Sequence, residues 1–170
     1  LHAARNYGCH VTTTTISDNQ FSYVSDLISK ENLWSQITLL NSDYRELEGS
    51  YDKIVSIEMI EAVGPDHVSG FFNKVSSLLR PSGLMALQGI TYNDPDFEAY
   101  KNSVDFIKKY IFPGGCLISV PQIKEAIKTK TDLTLVEVED ITQHYAKTVK
   151  YWRQDFIKAL PEIRSLGFSE

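Results

Sequence analysis

Two carboxylates, Glu58 and Glu61, stand in the run Ile57-Glu-Met-Ile-Glu-Ala-Val-Gly64, where apolar neighbours make an unpaired buried charge expensive. Such groups are paired, hold a ligand, cap the next helix or face water, and residue type alone leaves these open. Gln88 and Ile90, at the end of the next apolar segment, offer a side-chain amide and a backbone amide. Gln88 reads equally as a strand-end residue that satisfies backbone groups. In Asp43-Tyr44 a carboxylate able to hold an exocyclic amine adjoins a ring able to stack on a flat base, although a polar loop has the same composition. Thr15, Ile16 and Gln20 stand where a threonine-rich strand runs into a helix, the position at which doubly wound folds bind ligands. A plain β-branched strand fits them as well.

A fifth group lies in Val104–Leu117. Phe106, Ile107, Tyr110 and Ile111 have the spacing of one helix face, and Pro113 stops the helix. Gly114 and Gly115 then permit a sharp turn or a close approach. With Phe112 these aromatics suit the mouth of an apolar pocket. A core helix with an ordinary stop is the alternative.

The elements that must position these residues alternate. Residues 1–7 read as the tail of a helix stopped by Gly8, and 9–16 as a strand. Ser17 and Gln20 form a capping box for a helix to about Lys30. Strands are expected at 37–40, at 51–58 (apolar enough to be covered on both faces), and at 84–91. A helix from Pro65 buries Phe71, Phe72, Val75, Leu78 and Leu79. Further helices are expected at about 94–111, 121–127 and 145–160, with a strand at 133–139. The pattern predicts a single α/β domain over 1–170: a three-layer, Rossmann-like fold with a mainly parallel sheet.

Composition narrows the function classes. The 170 residues, 42% of them hydrophobic and 23% charged, suit one globular domain. A net charge of −5 without long Lys/Arg runs argues against a nucleic-acid partner. No apolar run reaches membrane-spanning length. Cys9 and Cys116 lack metal-ligand spacing and read as reduced thiols of a cytoplasmic protein.

Four segments together resemble the cyclopropane-fatty-acyl synthase family, S-adenosylmethionine-dependent methyltransferases that act on unsaturated acyl chains. They are Asp43-Tyr-Arg-Glu-Leu47, Ile54-Val-Ser-Ile-Glu-Met-Ile-Glu-Ala-Val-Gly64, Asp105-Phe-Ile-Lys-Lys-Tyr-Ile-Phe-Pro-Gly-Gly-Cys-Leu117, and Tyr145-Ala-Lys-Thr-Val-Lys-Tyr-Trp152. They occur in the family's order, and the similarity runs from end to end. The resemblance implies a class I methyltransferase fold. It places Thr15, Ile16, Gln20, Asp43, Tyr44 and Glu58 at the S-adenosylmethionine site, and Phe106, Tyr110, Phe112, Gly114 and Gly115 along the acyl channel. It also implies a bicarbonate ion, held by Glu61, Gln88, the Ile90 amide and Tyr145, as the general base. The implied partner is an unsaturated acyl phospholipid met by transient contact at the inner membrane face.

The chain departs from the family where histidines usually stand: Ala62 follows Glu61, and Gln88 can neither carry charge nor titrate. The glycine-rich turn that opens such domains has no counterpart, since residues 1–50 contain only Gly8 and Gly49. Sequence beyond Leu166-Gly-Phe168 is also short of the family's. A truncated domain is therefore expected, with first and last strands missing, little cofactor binding or activity alone, and open strand edges that favour homo-oligomers. The competing readings are a small-molecule N-methyltransferase of the same fold and a non-catalytic fold core.

Overall fold

Gly8 takes a φ of 64°, which glycine enters without strain, and its N–H closes the first helix onto the Ala4 carbonyl. In the computed structural model, which describes residues 1–168 and only the backbone of Asp94, that helix is α1 (His2–Tyr7). Strand β1 (Val11–Thr15), helix α2 (Asp18–Lys30) and strand β2 (Ile37–Asn41) follow. The two strands pair in parallel, Val11 opposite Ile37 and Thr15 opposite Asn41. Ala4, Ile28, Leu33 and Ile37 form a small core against them.

The second pair is β3 (Tyr51–Ile57) and β4 (Leu79–Gln88), again parallel, with Ile57 opposite Gln88. Between them run α3 (Ile60–Val63), a 3₁₀ turn at Pro65–His67 and α4 (Val68–Leu78). The predicted stripe of α4 is buried: Phe71, Phe72, Val75 and Leu78 point inward with Val68. Val68, Phe71, Phe72 and Val75 join Ile60, Ile118 and Ala126 in the main core, on which Ile54, Met85 and Leu87 pack. Among the described residues each strand pair stands as its own two-stranded sheet. Helices α5 (Phe97–Lys101), α6 (Val120–Lys130) and α7 (Thr142–Ser165) complete the order. None is both long and apolar enough to cross a membrane.

Three expectations are corrected. β3 is covered on one face only: Ile54 packs inward, whereas Val55 and Ile57 are 66% and 56% exposed. The stretch 94–111 is not one helix but a 3₁₀ turn (Asp94–Asp96), α5, and a π-helical turn at Ile107–Ile111. Lys108 explains the break. Its ammonium donates to the Tyr100 and Ser103 carbonyls, and its N–H donates to Asp105 Oδ1 at 2.8 Å, so a new turn starts at Asp105. The Phe112 N–H then reaches back to the Ile107 carbonyl at 2.8 Å, and Pro113 has no N–H to carry the helix on. Phe106, Ile107, Tyr110 and Ile111 are consequently exposed rather than a buried stripe.

The third correction concerns 133–139, which forms no strand; Val136 is 82% exposed. Alternation assigns faces, but a strand also needs a neighbour for its backbone, and among the described residues none pairs with this segment. The chain divides into two units, Leu1–Thr134 and Leu135–Glu170. The second is dominated by α7, whose 24 residues include Pro161 and none that is buried.

Candidate active site

Both parallel strand pairs carry candidate residues at their C-terminal ends, where a parallel sheet leaves a crevice for ligands. At the end of β1 the Thr14 hydroxyl donates to the Ser42 carbonyl, and the Ser42 N–H donates to the Thr15 carbonyl at 3.1 Å. Thr15 Oγ1 donates to Gln20 Oε1 at 2.7 Å and accepts from the Ser17 N–H. The expected capping box is thus only half formed: Ser17 Oγ accepts from the Gln20 N–H, while the Gln20 side chain is held by Thr15. Ile16 beside them is 76% exposed.

Asp43 caps a 3₁₀ turn (Tyr44–Glu46), and both its oxygens accept from the Arg45 guanidinium, at 2.9 and 2.7 Å. Those bonds hold its carboxyl down at about 2, against an ordinary 3.8. A depressed folded value means that the stability this contact supplies is full above the ordinary value and disappears as pH falls from about 4 towards 2. Arg45→Met should raise the Asp43 carboxyl towards the usual range in a carbon-13 NMR titration, the backbone N–H of residue 45 still holding it somewhat low; an unmoved midpoint would show that the guanidinium is not the cause. Tyr44 turns its ring edge-on to Phe71, with centroids 5.7 Å apart, and burial pushes its phenol up.

At the end of β3 and β4 the structure brings Glu58, Glu61, Gln88 and Ile90 together. Glu61 Oε1 accepts from the Ile90 N–H at 2.6 Å, whereas its Oε2 is shielded from solvent and has no hydrogen-bond partner among the described residues. A buried acceptor left in this way costs about 1–3 kcal/mol and invites a donor. Glu58 adopts a left-handed backbone with φ of 48°, unusual for a residue with a long side chain. Its Oε1 accepts from Gln88 Nε2 at 2.9 Å, and its N–H donates to the Gln88 carbonyl at 2.9 Å.

The glycine turn closes on the same place. The Cys116 N–H donates to the Glu61 carbonyl at 3.0 Å, and a Cβ on Gly115 would meet the Phe112 carbonyl at 3.1 Å. Gly114 has a φ of 86°, the left-handed region that glycine favours. Phe106, Tyr110 and Phe112 lead away from the turn, 65%, 62% and 67% exposed. Tyr145 lies on α7 in the other unit, half-buried.

Gly89 is a site residue that sequence reasoning missed. A Cβ there would stand 2.9 Å from Ile60 Cγ2 and 3.5 Å from Glu61 Oε1. Ile60 is 1% exposed and has nowhere to go. The available signal was a glycine directly after an apolar strand, a mark of close approach. Gly89→Ala should destabilise the protein by about 1–3 kcal/mol, read from the urea midpoint. An unchanged midpoint would mean that Ile60 yields.

With this geometry in place, likeness to known proteins decides the family. The whole chain, residues 1–170, matches the family described as mycolic acid cyclopropane synthetase. The chain belongs to that family. Among its relatives, the tuberculostearic acid methyltransferase UfaA1 of Mycobacterium tuberculosis is 34% identical over 96% of this chain and 38% of its own length. The cyclopropane-fatty-acyl-phospholipid synthase of Escherichia coli K12 is 34% identical over 95% of this chain and 40% of its own. The chain therefore spans about two fifths of the length of these two relatives. A crystal structure of mycolic acid cyclopropane synthase CmaA1, complexed with SAH and CTAB, superposes with a TM-score of 0.86 at 27% identity, covering 97% of this chain and 61% of that one. The family fold is the class I, Rossmann-like methyltransferase fold, and the two parallel strand pairs with their helices are the part of it present in these residues.

Proposed function

We propose that the protein carrying this chain is an S-adenosylmethionine-dependent C-methyltransferase that forms a cyclopropane, or a methyl branch, at the cis double bond of unsaturated acyl chains of phospholipids. The observation that carries this reading is Glu61: a carboxylate with one shielded, unpartnered oxygen, beside a glycine turn, in a chain of this family. When bound, S-adenosylmethionine supplies an electrophilic methyl group, and bicarbonate supplies a base that is itself a hydrogen-bond donor.

The residues at the β1 and β2 ends suit the first of these. Thr15 and Gln20 offer a fixed pair of polar groups, and Asp43 is an anion whose oxygens retain acceptor capacity beyond the three bonds that Arg45 makes to them. Tyr44 adds an aromatic wall. At the β3 and β4 ends, Glu61 Oε2 lacks a donor of the kind that a hydrogencarbonate O–H provides. The Ile90 N–H is already engaged by Glu61, so this amide can serve an anion only once the carboxylate swings from it or shares it. Gln88 keeps one N–H free after bonding Glu58.

Chemically, an isolated alkene is a poor nucleophile, and alignment of the double bond with the methyl carbon supplies much of the acceleration. The new carbon–carbon bond leaves a cation on the acyl chain. Removal of a proton from the added methyl, with its electron pair closing onto the cationic carbon, gives the ring. The exposed faces of Phe106, Tyr110 and Phe112 suit an acyl chain and can stabilise the passing cation. Expression of the whole protein that carries this chain, in a host that makes unsaturated phospholipids, should yield cyclopropane or methyl-branched acyl chains on gas chromatography. An unaltered lipid profile, with methylation of a small amine instead, would replace this reading.

A further inference from the structure

We propose that Glu58 is a positioning residue, which fixes the Gln88 side-chain amide for the base site, rather than a ligand of the cofactor. The inference rests on the function proposed above, and it begins with a backbone cost. Of the described residues other than glycine, only Asn32, Glu58 and Ser82 have positive φ. Asparagine enters that region readily and glutamate does not. A glycine at 58 would take a φ of 48° without strain, so the feature that glutamate adds is its carboxylate.

That carboxylate is spent on Gln88. Its Oε1 accepts from Gln88 Nε2 at 2.9 Å, and the Glu58 N–H donates to the Gln88 carbonyl at 2.9 Å. Backbone and side chain of one residue therefore grip backbone and side chain of the other, across the ends of β3 and β4. A carboxylate only accepts, so the amide nitrogen must face Glu58 and the flipped orientation is forbidden. Gln88 is left with one N–H and its carbonyl oxygen, both in a set direction. Gly89 and Ile90 follow immediately, and the Ile90 N–H lies on Glu61 Oε1 at 2.6 Å. The Glu58 clamp thus sets the orientation of an amide one residue away from the cradle of the unpartnered Glu61 oxygen.

The consequence is a residue whose removal helps the fold and harms the reaction. In the whole protein that carries this chain, Glu58→Gly should keep or raise the thermal midpoint and leave S-adenosylmethionine affinity unchanged. It should lower kcat about ten- to a hundredfold. Glu58→Gln, whose own carbonyl can accept from Gln88, should restore most of the turnover. Two outcomes overturn the proposal: weakened S-adenosylmethionine binding with kcat intact, which makes Glu58 a cofactor ligand, or no change in either constant. The nitrogen-15 NMR signal of the Gln88 side-chain NH₂ separates this from failure of the functional reading, because it needs no turnover. A wild-type NH₂ proton that is shifted downfield and slow to exchange with solvent, and that returns to free-amide behaviour in Glu58→Gly, supports the clamp even if the acceptor is not an acyl chain. An NH₂ signal indifferent to Glu58 refutes it.

Discussion

Glu61→Gln lowers methyl transfer by about a hundredfold or more while the unfolding midpoint stays level or rises. Both halves follow from the two different environments of one carboxylate. Oε1 accepts the Ile90 N–H, a bond that a glutamine carbonyl can replace, so the strand ends stay joined. Oε2 is shielded and unpartnered, and a charge in that position works against the folded state unless a donor arrives. Glutamine removes the charge and also the acceptor, so the fold loses nothing and the proposed base site loses its anchor. Scanning calorimetry and a labelled-methyl assay on the same preparations read the two effects. A fully active Glu61→Gln would remove Glu61 from the chemistry, and a large drop in midpoint would make it structural.

Phe72→Ala has the largest expected effect on the fold, about 3–5 kcal/mol lost. Phe72 is 1% exposed and lies edge-on to Phe71 with ring centroids 5.2 Å apart. Phe71 in turn meets Tyr44 edge-on. The cavity left by alanine therefore undermines not only the packing of α4 but also the ring proposed to wall the cofactor. Urea unfolding measures the loss, and Phe106→Ala is the internal control. Phe106 is 65% exposed, so its removal should cost less than about 0.5 kcal/mol. Equal losses at the two positions would contradict the assignment of the core.

The four strands and the helices α2 and α4 are legible in the sequence because each carries a local signal. Ser17 caps α2, Gly8 stops α1, and the apolar stripe of α4 has helical spacing. The motifs of the second unit and of the glycine turn were equally readable as family likeness. The contacts that make the site were not. The bond from Ile90 to Glu61 and the clamp of Glu58 on Gln88 span 29 and 30 residues, and they exist only because β3 and β4 pair with Ile57 opposite Gln88. No local pattern encodes that register. Apolar spacing leaves an exposed pocket mouth and a buried core helix equally open at 106–111, because it cannot reveal that Lys108 anchors itself on Tyr100 and Ser103. The segment 133–139 alternates correctly but lacks a partner strand, which alternation cannot supply.

The most direct test follows the hydrogens of the transferred methyl. The whole protein that carries this chain, given S-adenosylmethionine with a trideuterated methyl and vesicles of a phospholipid bearing a cis-monounsaturated chain, should return acyl product that retains two of the three deuteriums. The third should pass to solvent, and Glu61→Gln should suppress the product. Acyl product that retains all three deuteriums, or transfer that is indifferent to Glu61, would contradict a base held at the ends of β3 and β4.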